Sequence, residues 1–233
     1  MLFFRWFLLS AWACSLTAQA EMPNYQSFPA EGGRLLLWVA SERGRAELEL
    51  DAAAQLAERG VAVWSLDPVS AYFLPQLPSS MDAVPPEDMA TWLRSAQARG
   101  ERVIVYAVGR AAVPMLQAVA LLQPAERQRT CVLLMHPNLY TVAEPLAAPN
   151  YLELGDLTGA QVRVLQPRRA AATPWLAGLV AHLEQQGAQV TQRVLEKLRE
   201  GYWARETPTD FETAESRRMG AMLLHELNDW GCK

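Results

Sequence analysis

The chain has 233 residues, just over half of them hydrophobic and a fifth charged, which is apolar material for one real core. A formal charge of −4 and the lack of any Lys/Arg run exclude a general nucleic-acid binder. The three histidines are isolated and no His/Cys/Asp cluster has metal-ligand spacing, so neither a metal nor a cofactor is expected.

Residues 1–20, "MLFFRWFLLSAWACSLTAQA", carry Arg5, an apolar run from Trp6 to Ala13, and then Ala18-Gln19-Ala20. That is the pattern of a secretory signal cleaved after Ala20, and it implies a periplasmic or secreted product. The apolar run is too short to span a bilayer comfortably, so no transmembrane segment is expected after cleavage. A rival reading makes Cys14 a lipidated cysteine, but Trp12 fits that role poorly. Export would leave Cys131 and Cys232, which could pair in an oxidising compartment or stay as a buried thiol and a tail thiol. There is no C-x-x-C for thioredoxin-type chemistry.

A polar lead-in, Glu21 to Gly33, precedes the first apolar run, Arg34–Ala40, which reads as a strand covered on both faces. A helix follows over Arg45–Gly60, with Leu48, Ala52 and Leu56 on one side and Gly60 as its stop. Val61–Asp67 is the next strand, and Pro85–Gly100 is a helix opened by prolines and early acids. Strand Arg102–Tyr106 leads into a helix over 110–123, ended by Pro124. Thr130–His136 and Ala160–Gln166 are strands, Thr173–Gly187 is a helix with Pro174 in its first turn, and Ala188–Glu196 is a last strand. Asp210–Gly231 reads as one long closing helix.

Strand and helix in alternation mean an α/β class: one domain over residues 21–233, a mostly parallel sheet with helices on both faces. Sites in such sheets lie beyond the C-terminal strand ends. That rule selects Ser41, Asp67, the turn Ala107–Arg110, His136, Arg168, Arg169 and the segment Glu200–Trp203. The first turn, "VASERGRAEL", lacks G-x-G-x-x-G, and no Walker A motif occurs anywhere, so nucleotide binding is not expected.

From Arg34 onward the order of elements resembles the α/β-hydrolase fold, a three-layer sandwich, and is closest to exported bacterial members of the cell envelope. An early aromatic patch, "SAYFLP" (Ser70–Pro75), and Pro114 after the turn add to that likeness. The family carries G-x-S-x-G on an elbow between strand and helix. Here "VYAVGRAAVP" stands in that place, and three registers put Ala107, Gly109 or Ala111 at the nucleophile. None of these has a nucleophilic atom, and no Ser, Thr, Cys, Asp or His occurs between Gly100 and Arg129. Where the resemblance implies an acid the chain has Arg168-Arg169, and where it implies a histidine it has Glu200 before Gly201-Tyr202-Trp203. The resemblance therefore implies a pseudo-hydrolase that binds a small ligand or an envelope protein. The alternative is an active, esterase-like hydrolase using Ser41, Ser65 or Ser70 with His136 as base.

Arg110 falls at a helix start, where free N–H groups favour an anion, and Arg168 and Arg169 share its sheet edge. Together they could hold a small anionic ligand, a carboxylate or phosphate. Otherwise Arg110 pairs with an acid such as Asp67. Asp67-Pro68 either lines the cleft or simply punctuates the chain. His136 is a base or a hydrogen-bonded loop histidine, and His182 and His225 read as surface or packing residues on amphipathic helices. Tyr72-Phe73-Leu74 is either a lid or a loop packed on its own domain. The tryptophans are scattered through different elements and read as core.

Overall fold

The apolar runs become the interior of a seven-stranded sheet. A computed structural model describes residues 25–99, 102–141 and 147–231. The leader segment, Cys14 and Cys232 lie outside the described residues. The strands are β1 (Gln26–Phe28), β2 (Arg34–Val39), β3 (Ala62–Leu66), β4 (Arg102–Val108), β5 (Thr130–Met135), β6 (Gln161–Pro167) and β7 (Gln189–Leu195). Their order is β1-β3-β2-β4-β5-β6-β7. Only β1 runs antiparallel, against β3; the other neighbours are parallel.

β1 lies within the polar lead-in, where the sequence pattern assigned no strand. It is three residues long and largely exposed, so it carries no apolar signal. It forms because β3 would otherwise offer an unpaired edge, which a short polar strand can satisfy with backbone bonds alone.

The helices are α1 (Glu47–Ala57), α2 (Pro68–Ala71), α3 (Pro78–Met81), α4 (Pro86–Gln97), α5 (Ala112–Ala120), α6 (Pro124–Gln128), α7 (Leu176–Gln185), α8 (Asp210–Arg217) and α9 (Met219–Asp229). Side chains alternate across each strand, so the sheet feeds two cores. Leu35, Leu37 and Val39 pack with residues of α4, α5 and α7. Leu36 and Trp38 pack with residues of α1 and α9 on the opposite face. Two covered faces explain why β2, β3 and β5 are near-continuous apolar runs. Trp38, Trp64, Trp92 and Trp203 are buried in these cores.

The expected closing helix is two helices. Arg218 leaves the helical region (φ −100°, ψ 8°) and re-aims α9 toward α1. Gly220 permits that contact, because a Cβ there would lie 2.8 Å from the Ala52 carbonyl oxygen. The start of α8 is a capping box. The Thr209 hydroxyl accepts from the Glu212 N–H, and the buried Glu212 carboxylate accepts from the Thr209 N–H and from Arg199 Nε at 2.7 Å. Cys131 is buried in β5 and is not a free thiol. No helix among the described residues is long and apolar enough to cross a membrane.

Candidate functional site

β4 ends at Val108 in extended conformation, and the next residue, Gly109, has φ +58°. A short 3-10 turn over Gly109–Ala111 then opens into α5. A strained turn between strand and helix is the defining geometry of a nucleophile elbow. Only the register with Gly109 at the nucleophile coincides with it. Ala107 lies within the strand and Ala111 within the turn. Glycine accepts the left-handed conformation without a Cβ penalty, so the turn forms while presenting no side chain.

The empty place is well defined. A Cβ built on Gly109 would lie 3.3 Å from Glu42 Oε2 and 3.7 Å from His136 Cε1. A cleft of about 660 Å³ lies alongside the turn. Its walls come from the loop after β2 (Ser41 to Ala46), from Glu49 on α1, from Val108 and His136, and from the loop after β7 (Glu200 to Thr207).

His136 follows β5 with φ +38°. Its side chain is only 9 % exposed, and neither ring nitrogen has a hydrogen-bond partner among the described residues. Its ring lies 5.5 Å from that of Trp203, and Nδ1 is 3.8 Å from Glu200 Oε1, too far for a hydrogen bond. Burial, aided by the charge of Arg43, lowers its pKa to about 4, so the ring is neutral at pH 7.

Two acids of the cleft, Glu49 and Glu200, shift the other way. Burial pushes Glu49 up to about 7, against the opposing Ala46 N–H, which donates to Glu49 Oε2 at 2.8 Å. Glu200 is raised by burial and by the charge of Glu42. Among the described residues, Glu42 Oε2 is buried without a hydrogen-bond partner, as is the Tyr106 hydroxyl.

Of the five residues expected to bind a ligand, only His136 lines this cleft. Arg110 is buried against other protein groups. Its Nε and Nη2 donate to the two carboxylate oxygens of Asp82 at 2.8 and 2.9 Å, and Nη1 donates to the Tyr140 carbonyl at 2.6 Å. Asp67 caps α2, accepting from the Ser70 N–H at 3.1 Å and the Ser70 hydroxyl at 2.8 Å. Arg45, not Arg110, is its nearest cation, at 4.0 Å. Arg168 pairs with Glu196 at 2.7 Å on the surface. The Arg169 backbone N–H donates to the Leu198 carbonyl.

None of the serines considered as nucleophiles meets His136. Ser41 Oγ accepts from the Arg43 N–H, Ser65 is buried within β3, and Ser70 donates to Asp67. In the aromatic loop, Tyr72 stacks toward Trp92 and Leu74 packs on the core, while Phe73 stands almost fully in solvent with φ +53°. None of the three lines the cleft. No group of His, Cys, Asp and Glu among the described residues could hold a metal ion.

Sequence reasoning missed Glu42 and Glu49. Glu42 directly follows the flagged Ser41, but nothing local separates it from a surface acid. Glu49 reads as an ordinary first-turn acid of α1.

No family model and no curated protein matches the chain. Solved structures do. An esterase from the archaeon Pyrobaculum calidifontis superposes with a TM-score of 0.61 at 9 % identity, covering 92 % of this chain and 87 % of its own. Est1E from Butyrivibrio proteoclasticus, solved with ferulic acid, gives 0.55 at 10 % identity, covering 88 % and 95 %. A Klebsiella pneumoniae structure described as a candidate dienelactone hydrolase gives 0.59 at 15 %, covering 84 % and 86 %. The chain has the α/β-hydrolase fold. At such identities the likeness is one of fold.

Proposed function

We propose that this is a non-catalytic binding protein on an α/β-hydrolase fold, which holds a ligand in the cleft over its elbow. The observation that carries the reading is Gly109 at the left-handed elbow position. Acyl transfer needs a hydroxyl or thiol there, with a base in hydrogen-bond reach to take its proton. Here the elbow has no side chain, and the nearby imidazole touches no hydroxyl among the described residues. A buried base with a pKa of about 4 would also be a weak proton acceptor at neutral pH. The leader-like residues 1–20 support an exported, periplasmic or secreted setting.

A second reading, an esterase-like hydrolase with non-standard residues, draws on the esterases among the solved structures of this fold and on the neutral His136 beside Glu200. Hydrolysis of p-nitrophenyl acetate and butyrate separates the two. The binding reading expects identical, near-background rates for the wild type and His136→Ala. Turnover that disappears in His136→Ala would establish the enzyme instead.

A further inference from the structure

Two buried polar groups beside the Gly109 turn, Glu42 Oε2 and the His136 ring, have no hydrogen-bond partner among the described residues, and the half-exposed Glu200 carboxylate stands next to them. Glu42 Oε2 is buried and unpartnered, and it lies 3.3 Å from where a Cβ of residue 109 would be. His136 is likewise unpartnered at both nitrogens, with Cε1 3.7 Å from the same point. Glu200 Oε1 follows, 3.8 Å from His136 Nδ1. Buried polar atoms are nearly always bonded, and leaving one bare is costly, so such a cluster marks a place for a bonded guest.

The guest's chemistry follows from what the groups offer. Two carboxylates and a neutral imidazole supply mainly acceptors. The cations of the cleft are spent or lie at its rim. Arg45 donates to the Ser65 carbonyl and faces Asp67, Arg205 donates to the Glu200 carbonyl, and Arg43 is exposed. An anion at the elbow would meet two carboxylates at close range. A cation with several N–H donors would satisfy both and the imidazole together. Trp203 adds an aromatic surface to the same wall, against which a cation or an apolar tail can rest.

We propose that the cleft seats a primary ammonium group at Gly109, between Glu42 Oε2 and His136, so that the ligand is an amine. This rests on the binding reading and replaces the anionic ligand expected from the arginines. The missing Cβ helps the seat, because a side chain at residue 109 would press against Glu42 Oε2 and the His136 ring and block the approach to both.

Calorimetric titration and thermal shift at pH 7.5 with benzylamine, benzyl alcohol and benzoate test the proposal on the intact protein. Benzylamine should bind at least about tenfold more tightly than either analogue. Glu42→Gln should weaken benzylamine by about tenfold, while Glu58→Gln, on the exposed end of α1, should change nothing. Equal or tighter binding of benzoate or benzyl alcohol would overturn the amine seat, and so would absence of benzylamine binding or an unaltered response in Glu42→Gln. Should Glu42→Gln fail to fold, the ranking of the three ligands on the wild type still decides. Benzoate in the cleft would sink the amine and spare the binding reading, whereas His136-dependent ester turnover would sink the binding reading itself.

Discussion

His136 and Glu49 stand in one cleft and respond to acid in opposite senses. The histidine falls from its usual 6.5 to about 4 on folding, so between those values the unfolded chain binds a proton that the folded chain refuses, and stability drops as pH falls. Glu49 rises from 4.5 to about 7, so in that window the folded chain keeps a proton that the unfolded chain has lost, and stability drops as pH rises. Each shift is worth about 3 kcal/mol, so the two slopes largely offset between pH 4.5 and 6.5. Urea unfolding across that range should therefore find Glu49→Gln losing about 2 kcal/mol on acidification where the wild type stays nearly flat. His136→Asn, which tolerates a positive φ, should instead gain stability on acidification from pH 7 to 4.5. Parallel pH profiles for all three proteins would disprove the opposition. Neither shift was legible in the sequence, because each arises from burial that only the packed loops impose.

Among the elements, the join between β4 and α5 depends on Arg110. Its guanidinium ties the start of α5 to Asp82, just after α3, and to the Tyr140 carbonyl in the segment after β5. Arg110→Ala leaves a carbonyl and a carboxylate without their donor, at a cost of about 2–3 kcal/mol in chemical denaturation. Asp82→Asn should cost less, since that side chain is 43 % exposed. A change below about 0.5 kcal/mol in Arg110→Ala would show that the turn holds without the arginine. The arginine was visible in the sequence as a helix-start residue, and so was its choice between an anion and an acid. Which acid it meets was not legible. Asp67 was the nearer guess, but Asp67 spends both oxygens on Ser70, and α3 delivers Asp82 instead.

At the scale of the whole molecule, one sheet serves two cores. Alternate residues of β2 point to opposite faces, Leu35 and Leu37 to one and Leu36 and Trp38 to the other, so neither core can melt without exposing the strands of the second. Heating should give a single transition, coincident by tryptophan fluorescence and far-ultraviolet circular dichroism. Gly220→Val, which forces a side chain onto the Ala52 carbonyl at the α1–α9 contact, should lower that transition by several degrees without splitting it. Two separated transitions would mean that the faces fold independently.

The alternation of apolar runs and amphipathic stretches was enough to determine the α/β class and the order of the main strands and helices, because periodicity is a local property. The short edge strand β1 and the break at Arg218 escaped, since one is held by backbone pairing with a distant strand and the other by helix contact. The tertiary structure alone decided that Gly109, rather than Ala107 or Ala111, occupies the strained position. It also turned Arg110 and Arg168 toward protein acids and a carbonyl, while gathering Glu42, Glu49, His136 and Glu200 around one cleft. The physical reason is competition: every charged side chain at the strand ends has several partners within reach of the sequence pattern, and only the packing of loops far apart in the chain determines which pairs form and which groups are left open to a ligand.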